Sequence, residues 1–315
     1  MDEIVREFIK EKFKEQNEKI LKINKLETSG NLTYKLKTAK KEYILRLCGI
    51  KKRQRTKNEV QAEVELINFL REKEIPVPKL INFRDDFVII LGDKAGICYE
   101  FIDGETTKKT TLTQCYLVGK MLGKIHNLTK NYKFKYPRKR WGLEETRIKF
   151  GEVEGLFSTD EYLQKNNFIE RLTSILNQLK FERNLPFGAI HEDLGKRHVL
   201  FKNNKINGLL DWDRSYSGPF ILDLGQTIRG WCFDDWKKLN HQKLTRLLDG
   251  YENQRKLSLI EKKSLLNAIK FAFIERVIAF VIFAYNTNKK EYKNHAINDL
   301  TLLENLSLNL NLPLD

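Results

Sequence analysis

The alternation of apolar and polar residues predicts a run of strands followed by a longer run of helices. Short apolar segments separated by turn residues predict strands at about 26–37, 42–48, 79–83, 86–91 and 96–102. Apolar positions three and four residues apart predict a helix at 57–73, which ends before Ile75-Pro76-Val77-Pro78 because proline cannot continue a helix. A further amphipathic helix is predicted at 3–22.

The second part of the chain is predicted to be mainly helical. One helix contains residues 119–126, and others are predicted near 221–232, 235–249, 258–286 and 290–309. The longest apolar run, Phe271 to Tyr285, is interrupted by Glu275 and Arg276 and is too short to span a bilayer. It is therefore predicted to be a buried core helix. These elements together indicate the α+β fold class.

Two carboxylates stand where phosphoryl transfer needs them. Asp193 lies in a His191-Glu192-Asp193 loop before one predicted strand, and Asp211 ends the next strand. One such carboxylate accepts a hydroxyl proton and the other holds a metal ion on nucleotide phosphates. His198, five residues after Asp193, stands at the position of a second metal ligand in a kinase catalytic loop.

This spaced set, with Asp211-Trp212-Asp213 and Pro219-x-x-x-Asp223-Leu224, resembles the aminoglycoside phosphotransferase/choline kinase superfamily. The resemblance implies a two-lobed, protein-kinase-like fold. Its N-terminal nucleotide-binding lobe would span residues 1–102, with a small antiparallel sheet, and its mainly helical C-terminal catalytic and substrate lobe would span residues 103–315. Two residues depart from the family pattern: Glu192 replaces the usual glycine, and His198 replaces the usual metal-binding asparagine.

The resemblance also implies roles for individual residues. Asp193 would be the catalytic base, and Asp211 would bind the metal with His198 nearby. Imidazole is a poor ligand for Mg²⁺ and suits softer ions. His198 is therefore expected to bind Mn²⁺, to orient a phosphate, or to make no metal contact. The implied cofactors are ATP and Mg²⁺, with Mn²⁺ as the alternative. Asp223 is expected to anchor the catalytic loop, and His126 to be a packed structural histidine.

The nucleotide site is expected to combine a hairpin loop, a strand cation and the hinge. Arg46 is the candidate phosphate-binding cation, and Glu63 is the helix carboxylate that best matches its partner. Glu59, one turn earlier, remains an alternative, and so does a solvated position for both carboxylates. The complete set of candidate cofactor-binding residues is Ser29, Gly30, Asn31, Arg46, Glu63 and the main chain of Glu100 and Ile102.

The net charge of +15 at pH 7 favours a polyanionic partner. Lys130 to Trp141 contains six basic residues, four aromatic residues and no acid, an interleaving that suits unpaired RNA bases. A second basic cluster, Lys51 to Lys57, precedes the helix at 57–73. The candidate substrate-binding residues are Lys133, Arg138, Lys139 and Arg140. The alternative interpretation is a pair of solvated basic loops.

These observations lead to three hypotheses for function. The first is a kinase similar to the archaeal RNA kinase type, which phosphorylates an internal ribose 2′-hydroxyl of tRNA. The second is a kinase of a small alcohol such as an aminoglycoside, choline or homoserine, and the third is an RNA-binding pseudokinase. The four cysteines form no Cys-x-x-Cys pair, which favours a reducing cytoplasm. RNA, most readily tRNA, is the expected partner, with no membrane and no stable protein partner.

Overall fold

The computed structural model describes residues 2–28, 30–48, 55–235 and 237–306, which form two compact units. The first unit contains the described residues up to 106, together with residues 134–138 and 198–215. The second unit contains the other described residues. The hairpin at 199–209 belongs to the first unit because Glu105 and Phe201 exchange two main-chain hydrogen bonds of 2.9 Å. The predicted boundary between residues 102 and 103 stays a prediction.

The described part of the chain contains twelve short strands and ten α-helices. The elements up to residue 129 are α1 (Asp2–Glu15), β1 (Lys22–Leu26), β2 (Asn31–Lys37), β3 (Glu42–Cys48), α2 (Lys57–Glu72), β4 (Leu80–Ile81), β5 (Val88–Leu91), β6 (Lys94–Glu100) and α3 (Leu112–Thr129). Those from residue 143 to residue 219 are α4 (Leu143–Ser158), α5 (Glu161–Lys165), α6 (Phe168–Gln178), β7 (Phe187–Ile190), β8 (Val199–Lys202), β9 (Lys205–Leu209) and β10 (Tyr216–Pro219). The last are α7 (Phe220–Trp231), β11 (Phe233–Asp234), β12 (Lys238–Leu239), α8 (His241–Gln254), α9 (Leu259–Thr287) and α10 (Glu291–Asn305).

An antiparallel sheet forms the centre of the first unit. Its strand order is β1-β2-β3-β6-β4, and β5 pairs with β6. The apolar face of α1 packs on the sheet through Val5, Ile9 and Phe13, which are all buried. The antiparallel sheet of the first unit and the mainly helical second unit confirm the predicted α+β fold class.

The first helix is shorter than its periodicity predicted. It ends at Glu15 rather than at residue 22, and Asn17 adopts a left-handed conformation with φ of 56°. A residue with this conformation cannot continue a right-handed helix. Residues 22–26 instead form β1, paired in register with β2. The prediction of a helix over residues 3–22 was therefore wrong at its C-terminal end, because pairing with a neighbouring strand decided the conformation.

Helices dominate the second unit, and the predicted core helix is confirmed. Helix α9 carries Phe271, Phe273 and Val277 fully buried. Helices α3 and α8 approach closely at Gly119, where an added Cβ would lie 1.9 Å from the Leu247 carbonyl oxygen. The helix predicted at 235–249 begins at His241, because residues 233–239 include the β11–β12 pair and the Asn240 side chain caps the helix. Within the described part of the chain, no helix combines the length and apolar character needed to cross a membrane.

Candidate active site

Arg46 and Glu63 form a buried ion pair in the first unit. Arg46 lies on β3 and Glu63 lies on α2, and the guanidinium Nη2 donates to Glu63 Oε1. The capping box at the start of α2 fixes the helix register: the Glu59 side chain accepts from the Thr56 main-chain N–H at 2.9 Å. Glu63, one turn later, is consequently the carboxylate that meets β3, whereas Glu59 completes the capping box with Thr56.

A second arginine shares the Glu63 carboxylate. Arg55 donates through Nη1 to Glu63 Oε2, so each carboxylate oxygen receives one guanidinium. Burial alone would raise the pKa of Glu63, but the charges of Arg46 and Arg55 outweigh burial and lower this pKa to about 2. Arg55 was not predicted as a partner of Glu63, because nothing in the sequence distinguishes it from its basic neighbours. Residues 51–54 of that basic cluster lie outside the described residues.

The predicted metal-binding pair also lies within the first unit. His198 Nε2 is 3.4 Å from Asp211 Oδ2, and Arg46 Nη1 is 2.5 Å from Asp211 Oδ1. Asp211 adopts a left-handed conformation with φ of 66°, directly after the β8–β9 hairpin. Neither observation decides between the three expected roles of His198, so its contact with a metal stays a prediction.

This pair fits a divalent ion carried on nucleotide phosphates. Among the residues that the structure describes, no cluster of three or more His, Cys, Asp or Glu side chains would hold a metal by itself. Mg²⁺ commonly takes one or two carboxylates and completes its shell with phosphate and water oxygens. The Arg46 Nε atom is buried without a hydrogen-bond partner among the described residues, which leaves donor capacity beside the pair.

The remaining candidate nucleotide-binding residues lie at the sheet. Asn31, at the start of β2, donates from Nδ2 to Asp213 Oδ2 at 3.4 Å. The Asp213 pKa is raised, chiefly by burial and next by the charge of Asp211. Glu100 donates from its main-chain N–H to the Lys79 carbonyl oxygen, and Ile102 packs against Gly208. Gly30 is half-buried, and Ser29 lies outside the described residues. The nucleotide-binding roles stay predictions.

The catalytic loop is held by Asp223 within the second unit. The main-chain N–H groups of His191 and Glu192 donate to the two Asp223 carboxylate oxygens, both at 2.9 Å. His126 Nε2 lies 3.1 Å from Asp223 Oδ2, and His126 Nδ1 lies 2.7 Å from the Tyr251 hydroxyl. All of these residues are buried. Asp223 therefore anchors the loop that carries Asp193, which is itself half-buried.

Electrostatics keep this anchor ionised. Burial alone would raise the pKa of Asp223, but the hydrogen bonds from the His126 side chain and the His191 main chain lower it. Burial lowers the pKa of His126, which favours the neutral imidazole. Glu192 adopts φ of 70°, a conformation that glycine takes more easily, and its side chain accepts from Gln226 at 3.1 Å. The side-chain and main-chain bonds hold this strained residue in place.

Tyr216 and two carboxylates that share one glutamine lie next to the catalytic loop in the second unit. Tyr216 pairs with Ile190 on β7, directly before the catalytic loop, and its fully buried hydroxyl has no hydrogen-bond partner among the described residues. Burial, followed by the charges of Glu192, Glu275 and Glu145, raises the Tyr216 pKa. The Gln226 amide donates to Glu192 and to Glu275, at 3.1 and 2.5 Å, and Arg229 donates to the Gln226 oxygen at 2.9 Å. No local sequence signal distinguished this group.

The predicted RNA-binding residues differ in their surroundings. The Arg138 guanidinium donates to main-chain oxygens of Asp213 and Ser215, both at 2.7 Å, so it is committed to the loop after Asp211. Lys133, Lys139 and Arg140 are exposed. The Lys139 ammonium lies 4.5 Å from the Trp141 ring centroid, and Arg140 Nε lies 3.4 Å from Glu145. Substrate roles for these four residues stay predictions.

The two groups of residues define a class of enzyme. The first unit brings Arg46 next to the Asp211 carboxylate, and the second holds the Asp193 carboxylate on an anchored loop. Phosphotransferases use groups of these kinds. A model of the phosphotransferase enzyme family matches residues 26–257, and the chain belongs to this family.

Curated relatives are small-molecule kinases by name. The chain is 27% identical to the homoserine kinase of Mesorhizobium japonicum over 248 residues, which cover 76% of this chain and 73% of that protein. It is 26% identical to the homoserine kinase of Chelativorans sp. over 243 residues, covering 74% of this chain and 70% of the relative.

Solved structures share the fold. An amicoumacin kinase in complex with AMP-PNP, Ca²⁺ and its ligand superposes with a TM-score of 0.71 at 18% identity, covering 90% of this chain and 87% of that one. A microcompartment-associated aminopropanol kinase gives a TM-score of 0.66 at 18% identity and 90% coverage of both chains. The chain is an ATP-dependent kinase, and the predicted cofactors, ATP with Mg²⁺, are confirmed. The prediction of a tRNA substrate finds no support in these comparisons.

Proposed function

We propose that the chain phosphorylates the hydroxyl group of a small zwitterion, a hydroxy amino acid of the homoserine type. The observation that carries this proposal is the hydrogen-bonded group of Glu192, Gln226, Glu275 and Arg229 beside the catalytic loop. Carboxylates of Glu192 and Glu275 suit an ammonium group, and the Arg229 guanidinium suits a carboxylate. The names of the homoserine kinase relatives support the same substrate class. A strongly basic chain thus contains a local acidic environment beside its catalytic loop.

Each residue has a defined role in this proposal. Asp193 accepts the proton of the substrate hydroxyl, whose oxygen attacks the γ-phosphorus while the bond to ADP breaks. Arg46, oriented by Glu63, binds the ATP phosphates. When bound, a divalent cation neutralises charge on those phosphates, and Asp211 with His198 would hold it. The Tyr216 hydroxyl is buried and has no hydrogen-bond partner among the described residues, and in this proposal the bound substrate supplies that partner.

The first experiment measures label transfer from γ-labelled ATP to homoserine, to aminopropanol and to total tRNA, with Mg²⁺ and separately with Mn²⁺. We expect homoserine to be labelled with kcat/KM about tenfold or more above that of aminopropanol, which has no carboxylate for Arg229. Asp193→Asn should lower kcat by about 10³-fold, since a positioned base contributes about 10²–10⁴-fold.

Each alternative result identifies another function. Label in tRNA alone would contradict the small-molecule proposal and support the tRNA hypothesis. Equal labelling of homoserine and aminopropanol would contradict the role of Arg229. Absence of label in every acceptor with either metal would support the pseudokinase hypothesis.

A matched pair of variants tests the acceptor site itself. Glu275→Gln should raise the KM for homoserine about tenfold, because the neutral amide lacks the charge that attracts an ammonium group, and should leave the KM for ATP unchanged. Glu291→Gln, at an exposed position in α10, is the control and should change neither constant. An equal effect of the two variants would point to general electrostatics rather than a site.

A further inference from the structure

A basic cleft lies in the second unit, and none of its lining residues is assigned to catalysis. Its volume is about 410 Å³, within the range of small-molecule sites. Its lining comes from the end of α3, from the loop before β7, from the start of α7 and from the residue after α8. The lining residues are Lys130, Arg183, Asn184, Leu185, Pro186, Phe187, Phe220 and Arg255.

Positive charge dominates this cleft. Lys130, Arg183 and Arg255 are cationic, and none of the described residues that line the cleft is acidic. Lys130 and Arg183 are exposed. The Arg255 guanidinium is fixed, donating to the Tyr251 hydroxyl at 2.8 Å and to Glu261 at 3.1 Å. Because Glu261 compensates the charge of Arg255, the two exposed cations are the groups that suit a doubly charged anion such as a phosphate group.

The cleft also has an apolar wall. Phe187 is 61% exposed, so its ring is accessible to a ligand. Phe220 lies beneath the Arg255 guanidinium, which is 4.7 Å from the ring centroid. Leu185 is buried, and Pro186 accepts a hydrogen bond from the Phe220 main chain at 3.0 Å. A ligand that combines an anionic group with a flat apolar part would satisfy both halves of the cleft.

We propose that this cleft binds a phosphomonoester whose phosphate pairs with Lys130 and Arg183 and whose apolar part packs on Phe187. None of the residues that line the cleft is assigned a role in binding ATP or the phosphate acceptor. The general attraction of a basic chain for anions would be spread over its whole surface. The proposed site instead requires these cations together with this ring.

The cleft connects directly to the catalytic loop. Strand β7 begins at Phe187 and ends at Ile190, the residue before His191. Arg255 also begins a buried chain of hydrogen bonds that passes through Tyr251 and His126 to Asp223, the anchor of the loop. A ligand that draws on the Arg255 guanidinium should therefore alter kcat.

The test is calorimetric titration of the full chain with phenyl phosphate and with inorganic phosphate, in the presence of saturating ADP and Mg²⁺. We expect phenyl phosphate to bind more tightly than inorganic phosphate. The double variant Lys130→Ala/Arg183→Ala should weaken phenyl phosphate about tenfold or more. The control double variant Lys289→Ala/Lys290→Ala removes the same charge from exposed positions and should leave the affinity unchanged.

Phe187→Ser separates the apolar wall from the charge. It should abolish the preference for phenyl phosphate while leaving the affinity for inorganic phosphate unchanged. Equal weakening by the two double variants, or no saturable binding to the wild-type chain at millimolar concentration, would overturn the proposal. Loss of phenyl phosphate binding in Lys130→Ala/Arg183→Ala would support the site. If phenyl phosphate bound to the wild-type chain without changing kcat, the connection of the site to the loop would be overturned.

Discussion

The two units hold their functional residues by different kinds of bonds. In the first unit, side-chain ion pairs hold side chains: Glu63 receives Arg46 and Arg55, and Arg46 also reaches Asp211. In the second unit, the Asp223 side chain holds the main chain, through the N–H groups of His191 and Glu192. In the first unit, an arginine can pair with a phosphate in place of a carboxylate. In the second unit, the hydrogen bonds fix the conformation of a loop.

The ion pairs suit the binding of a ligand, whereas the main-chain hydrogen bonds suit the positioning of a loop residue. Arginine–carboxylate pairs respond to pH and to competing anions, which suits a site that must accept and release a nucleotide. Main-chain hydrogen bonds to a buried carboxylate persist whatever side chain the loop carries, which suits a residue such as Asp193 that must stay in place. Removing the central carboxylate should consequently have different results in the two units.

The largest effect is expected at Asp223. Asp223→Ala leaves two buried N–H groups and His126 without an acceptor, and should lower the free energy of unfolding by about 4 kcal/mol. Asp223→Asn keeps one oxygen and should cost less than half as much. Urea denaturation measures both values, and kcat should fall with either substitution. A stable Asp223→Ala variant with normal kcat would contradict the anchoring role.

Acid should affect the Glu63 pair selectively. Because the Glu63 pKa is lowered to about 2 in the folded chain from 4.5, its stabilisation is present above pH 4.5 and is lost as pH falls towards 2. The full loss would be about 3 kcal/mol. Urea denaturation from pH 5 to pH 2 should show the difference in unfolding free energy between wild type and Glu63→Gln becoming smaller. Glu72→Gln, exposed at the end of the same helix, should show a constant difference.

Substitutions of the two arginines that pair with Glu63 should differ in their effect on the KM for ATP. Arg46 contacts Asp211 as well as Glu63, so Arg46→Lys should raise the KM for ATP about tenfold, since lysine cannot form both planar pairs. Arg55→Lys should raise it by less than about threefold, because Arg55 would act only through Glu63. Steady-state kinetics with varied ATP measures both constants. Equal effects would place Arg55 at the nucleotide as well.

The smallest effect concerns the backbone at Glu192. Both Glu192→Gly and Glu192→Ala lose the hydrogen bond from Gln226, but only glycine accepts φ of 70° without strain. The glycine variant should therefore be about 1 kcal/mol more stable than the alanine variant. Thermal unfolding of the pair measures this difference. Equal stability would show that the backbone at residue 192 relaxes when the side chain is removed.

Local signals in the sequence were sufficient for several elements. Helix α2 could be predicted almost to the residue, because its apolar spacing and the prolines at 76 and 78 act within the segment itself. The spaced aspartates at 193 and 211 and the resemblance they support indicated a kinase, which family membership confirmed. The first helix was predicted too long because the left-handed turn at Asn17 and the pairing of residues 22–26 with β2 are not visible in the apolar periodicity.

The sequence by itself determined the class of chemistry, since the spacing of the catalytic loop is a local property. Only the tertiary structure decided that Glu63 rather than Glu59 meets Arg46, and that Arg138 is committed to main-chain oxygens. The net charge of +15 likewise favoured a polyanionic substrate, whereas folding brings the Glu192 and Glu275 carboxylates to the same Gln226 amide. Net charge is a sum that ignores position, and recognition depends on the charges that folding brings within a few ångströms of one another.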